Sequence, residues 1–186
     1  MKQAMWLGAA LCCAALVGCA GGARSTTASP SKSALGGGQT DFVIAARAVG
    51  PIVAGQPIPA SVFRAEGKSY DALVTQGGQQ DQDGFTRVTF SKLGLVVQLR
   101  ADRTVRTLLP SARLRTAEGV GEGSTLGRLS AAHGPLQKNN IPPPWLCSVG
   151  SSALPGVFFQ FRAPCAALTD TSKVGRVMVH DPDSED

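Results

Sequence analysis

Several signatures are missing from these 186 residues, and each absence removes a class of function. No G-x-S-x-G elbow occurs, and the carboxylates fall mainly in loops and the C-terminal tail, so serine-hydrolase and glycosidase chemistry lack their parts. There is no C-x-x-C pair and no evident base for a nucleophilic cysteine, which removes the redox and thiol-enzyme readings. The histidines, His133 and His180, stand far apart in sequence, so no metal site is expected. Glycines 119, 121, 123 and 127 precede a helix, as in a phosphate-cradling loop, but the chain then runs into K-N-N-I-P-P-P rather than a parallel strand with an acidic end. No cofactor and no catalytic residue are expected. The apolar run from Ala4 to Val17 is too short to cross a membrane as a mature helix.

What is present identifies a compartment. Lys2 followed by that apolar run reads as a secretory signal. The run ends in Leu16-Val17-Gly18-Cys19, which resembles the lipobox of bacterial lipoproteins. The resemblance implies a signal peptide over residues 1–18, a diacylglyceryl thioether on Cys19 and acylation of the new amino terminus. Several acyl chains at about 0.8 kcal/mol per buried methylene would anchor the protein stably. Ala20 stands where an aspartate is associated with inner-membrane retention, so the resemblance implies an outer-membrane anchor facing the periplasm.

Residues 19–40 are rich in Ala, Gly, Ser, Thr, Pro and Gln with Leu35 as the one large apolar group, the composition of a disordered tether spanning roughly 25 Å. Cys12 and Cys13 leave with the signal and Cys19 carries lipid, so Cys147 and Cys165 are expected to form one disulfide. The expected organisation is one domain over residues 41–180, followed by an acidic tail at 181–186.

Within that domain the pattern is α+β. Asp41 to Ala48 is a β-prone opening, Pro57 and Pro59 lead into a short helical turn through Phe63, and Gly67 ends it. Tyr70 to Thr75 is strand-like and residues 77–84 form a polar loop. F-T-R-V-T-F, G-L-V-V-Q-L-R and T-V-R-T-L-L then read as an antiparallel meander. Ser124 or Thr125 caps a second helix that Gly134 and Pro135 stop. G-L-V-V-Q-L-R-A at 94–101 returns as G-V-F-F-Q-F-R-A at 156–163, and Ile52, Gly55 and Gly67 correspond to Val120, Gly123 and Gly134. The expected fold is two tandem repeats, about 41–109 and 110–180, each a strand, a short helix and a meander, with helices packed on antiparallel sheet.

Val120, Gly123, Thr125, Leu129 and Gly134 resemble the helix motif of the small outer-membrane assembly lipoproteins (SmpA/OmlA) and of the tandem-repeat β-lactamase inhibitor proteins. Pro57 and Val62 depart from that motif in the first repeat. The resemblance implies helix-on-sheet architecture and a binding or scaffolding role, and it transfers no functional residue.

Charge supplies the remaining feature of a chain whose formal net charge is +5. Arg87, Lys92, Arg100, Arg103, Arg106, Arg113 and Arg115 face only Asp102 over that stretch, a candidate basic surface for anionic lipid headgroups or an acidic protein. Arg113 and Arg115, two apart, would share one strand face. Nucleic acid is not an expected partner for an exported, tethered domain. The expected function is a non-catalytic envelope module that binds another protein, with Ile141 to Trp145 supplying part of the surface. An inhibitor of an exported hydrolase and a small-ligand or lipid binder are the alternatives.

Overall fold

The computed structural model describes residues 42–81 and 83–181. Cys19, the tether through residue 40 and the tail beyond Asp181 lie outside the described residues. The described part is mixed α+β, dominated by antiparallel sheet.

Three two-residue strands open it: β1 (Ile44–Ala45), β2 (Ala48–Val49) and β3 (Ile52–Val53), paired as a small antiparallel sheet. Residues 41–48 were expected as one run, but the chain reverses at Ala46 and Arg47. Arg47 takes a left-handed φ of 57°, its N–H donates to the Pro155 carbonyl at 3.0 Å, and its guanidinium reaches Asp181 at 2.8 Å. Those distant partners override a local β preference.

Helix α1 (Ala60–Glu66) follows Pro59, which has no side chain to cap it, and ends at Gly67 with φ 76°. Its buried Val62 and Phe63 face the sheet, Phe63 lying 5.8 Å from the Phe90 ring. Glu66 is buried too, and its carboxylate accepts from the Lys92 N–H at 3.1 Å, tying the helix to a hairpin turn. Tyr70 to Thr75 does not form the expected strand. Asp71–Thr75 is a wide helical turn that buries Leu73, and the Ser69 hydroxyl accepts from the Ala72 N–H at 3.2 Å. A serine cap and an edge-on contact between Tyr70 and Phe63 at 5.2 Å outweigh the strand propensity.

The main sheet contains eight strands: β4 (Gln79–Gln80), β5 (Thr86–Phe90), β6 (Leu95–Leu99), β7 (Val105–Pro110), β8 (Leu136–Asn140), β9 (Cys147–Ser151), β10 (Val157–Phe161) and β11 (Arg176–His180). Their order is β4-β5-β6-β7-β11-β10-β9-β8, so the meander over residues 86–110 is as expected. Edge strand β4 arises inside the polar stretch 77–84 expected as a loop, and edge strand β8 from the polar run that follows α2. Both are largely exposed and carry Gln, Lys and Asn, a composition that suits an edge.

Helix α2 (Leu126–His133) is capped by Thr125, whose Oγ1 accepts from the Arg128 N–H at 3.3 Å. It buries Leu126, Leu129 and His133, with the His133 ring stacked 6.3 Å from Phe159. Register puts Val88, Phe90, Leu95, Val97, Leu108, Val179, Val157, Phe159 and Val149 on the side that both helices cover, and all are buried. Cys147 and Cys165 are joined, with their Cα atoms 5.0 Å apart, which fastens the end of β9 to a single 3-10 turn at Cys165–Ala167.

Candidate functional site

Because side chains alternate along a strand, the residues between those core positions project from the other side of the eight-stranded sheet. Arg87 pairs with Gln98, and Gln98 with Thr107. Thr107 pairs with His180. On the other half of the sheet Arg176 pairs with Gln160 and Gln160 with Ser148, while Met178 pairs with Phe158 and Phe158 with Gly150. Neither helix packs on this face. It is a polar surface inlaid with a few large side chains, a composition unlike the Val, Leu and Phe layer behind it.

At one end of the sheet, just before β9, lies Trp145. The indole follows the segment Pro142-Pro143-Pro144, whose prolines are exposed and whose last bond, Pro143–Pro144, is cis. The guanidinium of Arg162 lies 5.1 Å from the ring centroid and that of Arg176 5.0 Å, both within cation–π range. The ring also lies against the backbone at Gly175, where a methyl group would collide with Cζ3 and sit 3.0 Å from Cη2. Arg176 is held from the other direction: its Nε donates to Gln160 Oε1 at 2.8 Å, and Nη2 donates to the same oxygen. Gln160, only 4% exposed, is thereby fixed between two strands.

Burial, and after it the Arg87 guanidinium, lowers the pKa of Arg176 below the ordinary arginine value. The two cations on this face therefore sense one another. None of Arg87, Arg162 and Arg176 has a carboxylate partner among the described residues. Arg106 reaches outward by a different device. Gln98 pairs with Thr107 and Leu99 with Val105, so Arg106 is the extra residue of a bulge, and its guanidinium lies 3.9 Å above the Phe85 ring.

The arginines singled out from sequence do not all share this surface. Arg87 and Arg106 do. Arg100 instead donates to Thr104 Oγ1 and the Val105 carbonyl and lies 3.6 Å from Asp181, at the strand end where Arg47 also binds that carboxylate. Arg103 sits in the β6–β7 turn at φ 68°, over the Tyr70 ring at 5.6 Å. Arg113 and Arg115 do not share a strand face, since both follow β7 in a loop. Arg113 donates to the Ser91 carbonyl, and Arg115 donates to the Glu122 carbonyl at 2.7 Å and to Ser124 Oγ, bracing the turn before α2. Arg162 and Arg176 come from the second half and were missed, although Arg162 is the arginine of the recurring G-V-F-F-Q-F-R-A run.

One other expectation changes. Asp181, placed in the acidic tail, belongs to the body: it is clasped by Arg47 and Arg100, and the neighbouring His180 Nδ1 lies 3.1 Å from Thr107 Oγ1 inside the sheet. His133, the last residue of α2, is buried, with Nε2 3.4 Å from Thr116 Oγ1 and 3.7 Å from the Glu118 carboxylate. On the covered side, a shallow recess of about 320 Å³ between the Asp71–Thr75 turn and strands β5 and β6 is lined by Tyr70, Val74, Thr86, Arg100 and Arg103 among others. Among the described residues no three His, Cys, Asp or Glu side chains are placed to hold a metal ion.

No family model and no curated protein matches this sequence. Among solved structures the chain is similar to the crystal structure of the uncharacterized protein yfeY from Escherichia coli, with 17% identity, a TM-score of 0.47, and 75% of this chain and 99% of that chain covered.

Proposed function

We propose that this chain is a non-catalytic, lipid-anchored protein of the bacterial envelope that binds another envelope protein through the uncovered face of its eight-stranded sheet. One observation carries the reading: both helices lie on the same side of the sheet, and the opposite side presents Trp145, Phe158, Met178 and arginines, residue types enriched where proteins meet. The anchor rests on Leu16-Val17-Gly18-Cys19 and on the linker-like composition of residues 19–40.

The sheet is proposed to be a duplication, with α1 and β4–β7 forming one unit and α2 and β8–β11 the other. Supporting this, the last strand of each unit, β7 and β11, pair at the middle. The glycine pairs matched by sequence also share a positive φ: Gly55 and Gly123 at 83° and 81°, Gly67 and Gly134 at 76° and 71°, Gly94 and Gly156 at 66° and 76°. A two-unit sheet with one open face also suits an inhibitor that lies across an exported hydrolase, which is the second reading.

A photo-crosslinking amino acid in place of Met178 tests the docking face in intact cells. Capture of one stoichiometric membrane protein is expected, and capture of a secreted enzyme would favour the inhibitor reading. Capture only from a control position on α2, such as Ser130, would remove the open face from the proposal. Cys19→Ala should shift the protein from the membrane to the soluble periplasmic fraction; retention at the membrane would remove the anchor.

A further inference from the structure

We infer that the open sheet face receives an acidic segment of a protein partner, laid across Trp145 with its carboxylates on Arg87, Arg162 and Arg176. This rests on the reading of that face as a docking surface and adds the chemistry of what docks.

Three observations carry it. Three cations elsewhere are held internally: Arg47 and Arg100 on Asp181, and Arg115 on the turn before α2. Arg87, Arg162 and Arg176 have no carboxylate partner among the described residues, and the Arg162 and Arg176 guanidiniums flank one indole at 5.1 and 5.0 Å. A surface that gathers like charge without a counter-ion favours an anion that arrives from outside.

Preorganisation is the second. Gln160 Oε1 accepts two N–H donors of Arg176, and Arg176 and Arg162 both pack on an indole that Gly175 lets rest against the backbone. Guanidiniums fixed in this way lose little rotamer freedom on binding and present planar forks suited to carboxylates.

The third separates a protein from a lipid surface. A tryptophan that enters a headgroup layer has to protrude, whereas Trp145 is half-buried beneath two arginines. The indole and the two guanidiniums form a surface fixed by Gln160, suited to a folded or extended chain.

The test uses the detergent-solubilised full chain, a displayed library of random dodecapeptides, and vesicles of phosphatidylglycerol. Enriched peptides should carry an excess of Asp and Glu. Their affinity should fall at least tenfold in an Arg87→Ala/Arg162→Ala double variant and also with added salt, while circular dichroism stays unchanged because both side chains are exposed. Enrichment without acidic bias, or acidic peptides that bind the double variant equally well, would overturn the inference. So would vesicle binding that depends on the same arginines while acidic peptides fail to bind. The crosslink at position 178 keeps the two layers apart. A captured partner whose contacting segment is neutral or basic sinks the acidic chemistry and leaves the docking face standing, whereas the absence of capture there removes the face and this inference with it.

Discussion

Phe158 and Phe159 are neighbours in the chain and opposites in the molecule. Phe159 is fully buried, stacked on His133 and in register with Val149 and Val177. Phe158 points the other way, half-buried, with its ring edge about 3.7 Å from where a side chain would begin at Gly150. The same residue type therefore does two jobs. On the covered face an aromatic ring is core, and its removal leaves a cavity between sheet and helix. On the open face it lies over a glycine and the pleat, where water or a partner takes its place. The difference between the two faces is the difference between residues that hold the fold and residues that the fold displays.

The sharpest way to break the comparison is to truncate both rings. Phe159→Ala should cost about 3–5 kcal/mol, the range for a buried aromatic, and show as a large drop in the denaturation midpoint. Phe158→Ala should cost about 1 kcal/mol or less while weakening partner capture. Equal destabilisation would mean that the open face is structural. Next in size is the disulfide. Cys147→Ser/Cys165→Ser opens a loop with a sequence separation of 18 and should cost about 3 kcal/mol in the chain-entropy picture. Free thiols in freshly isolated protein would remove that contribution. Thr125→Ala, which deletes the α2 cap, should cost about 1 kcal/mol. Since α1 starts at Pro59 with no side-chain cap, Pro59→Ala should cost less, and reversal of that order would overturn the account of how the helices begin.

The covered face was the more legible of the two. Alternation in 86–90, 95–99 and 105–109 marks a sheet with one apolar side, and Thr125 followed by Leu126, Leu129 and Gly134 marks α2 from start to stop. What could not be read is tertiary. Ser69 turns Tyr70 to Thr75 into a helical turn, and Arg47 bends the first strand toward partners more than a hundred residues away. Polar β8 pairs only because β9 is beside it. The open face was half legible for a related reason: clustering along the chain selected Arg87 and Arg106, but Arg113 and Arg115 with them. Arg162 and Arg176 reach the surface through strand order, which no local window contains. The recurrence of Gln98 and Arg100 as Gln160 and Arg162 was the one signal that pointed there, and the two arginines differ in use. Arg100 is spent on Asp181, and Arg162 covers Trp145.

The smallest effect comes from titration, and it also separates the faces. Glu118 is held below its usual carboxylate range by its own backbone N–H first, then by the Thr116 hydroxyl and by His133. Asp102 is lowered by the Thr104 hydroxyl and then by the Thr104 N–H. A carboxylate whose folded pKa is depressed binds fewer protons than in the unfolded chain. Its contribution is therefore complete above the unfolded values, 4.5 for Glu118 and 3.8 for Asp102, and is lost as pH falls through the folded ones. Melting temperature should accordingly begin to fall below about pH 4.5, and Glu118→Gln should flatten the first part of that descent, by less than any substitution above because the side chain is exposed. Neither carboxylate takes its shift from a residue of the open face, so a charge-neutral probe of that face should report no change until the body unfolds. A change on the open face that precedes unfolding, or an acid limb that Glu118→Gln leaves untouched, would show that the two sides of the sheet are coupled in a way the side-chain contacts do not provide.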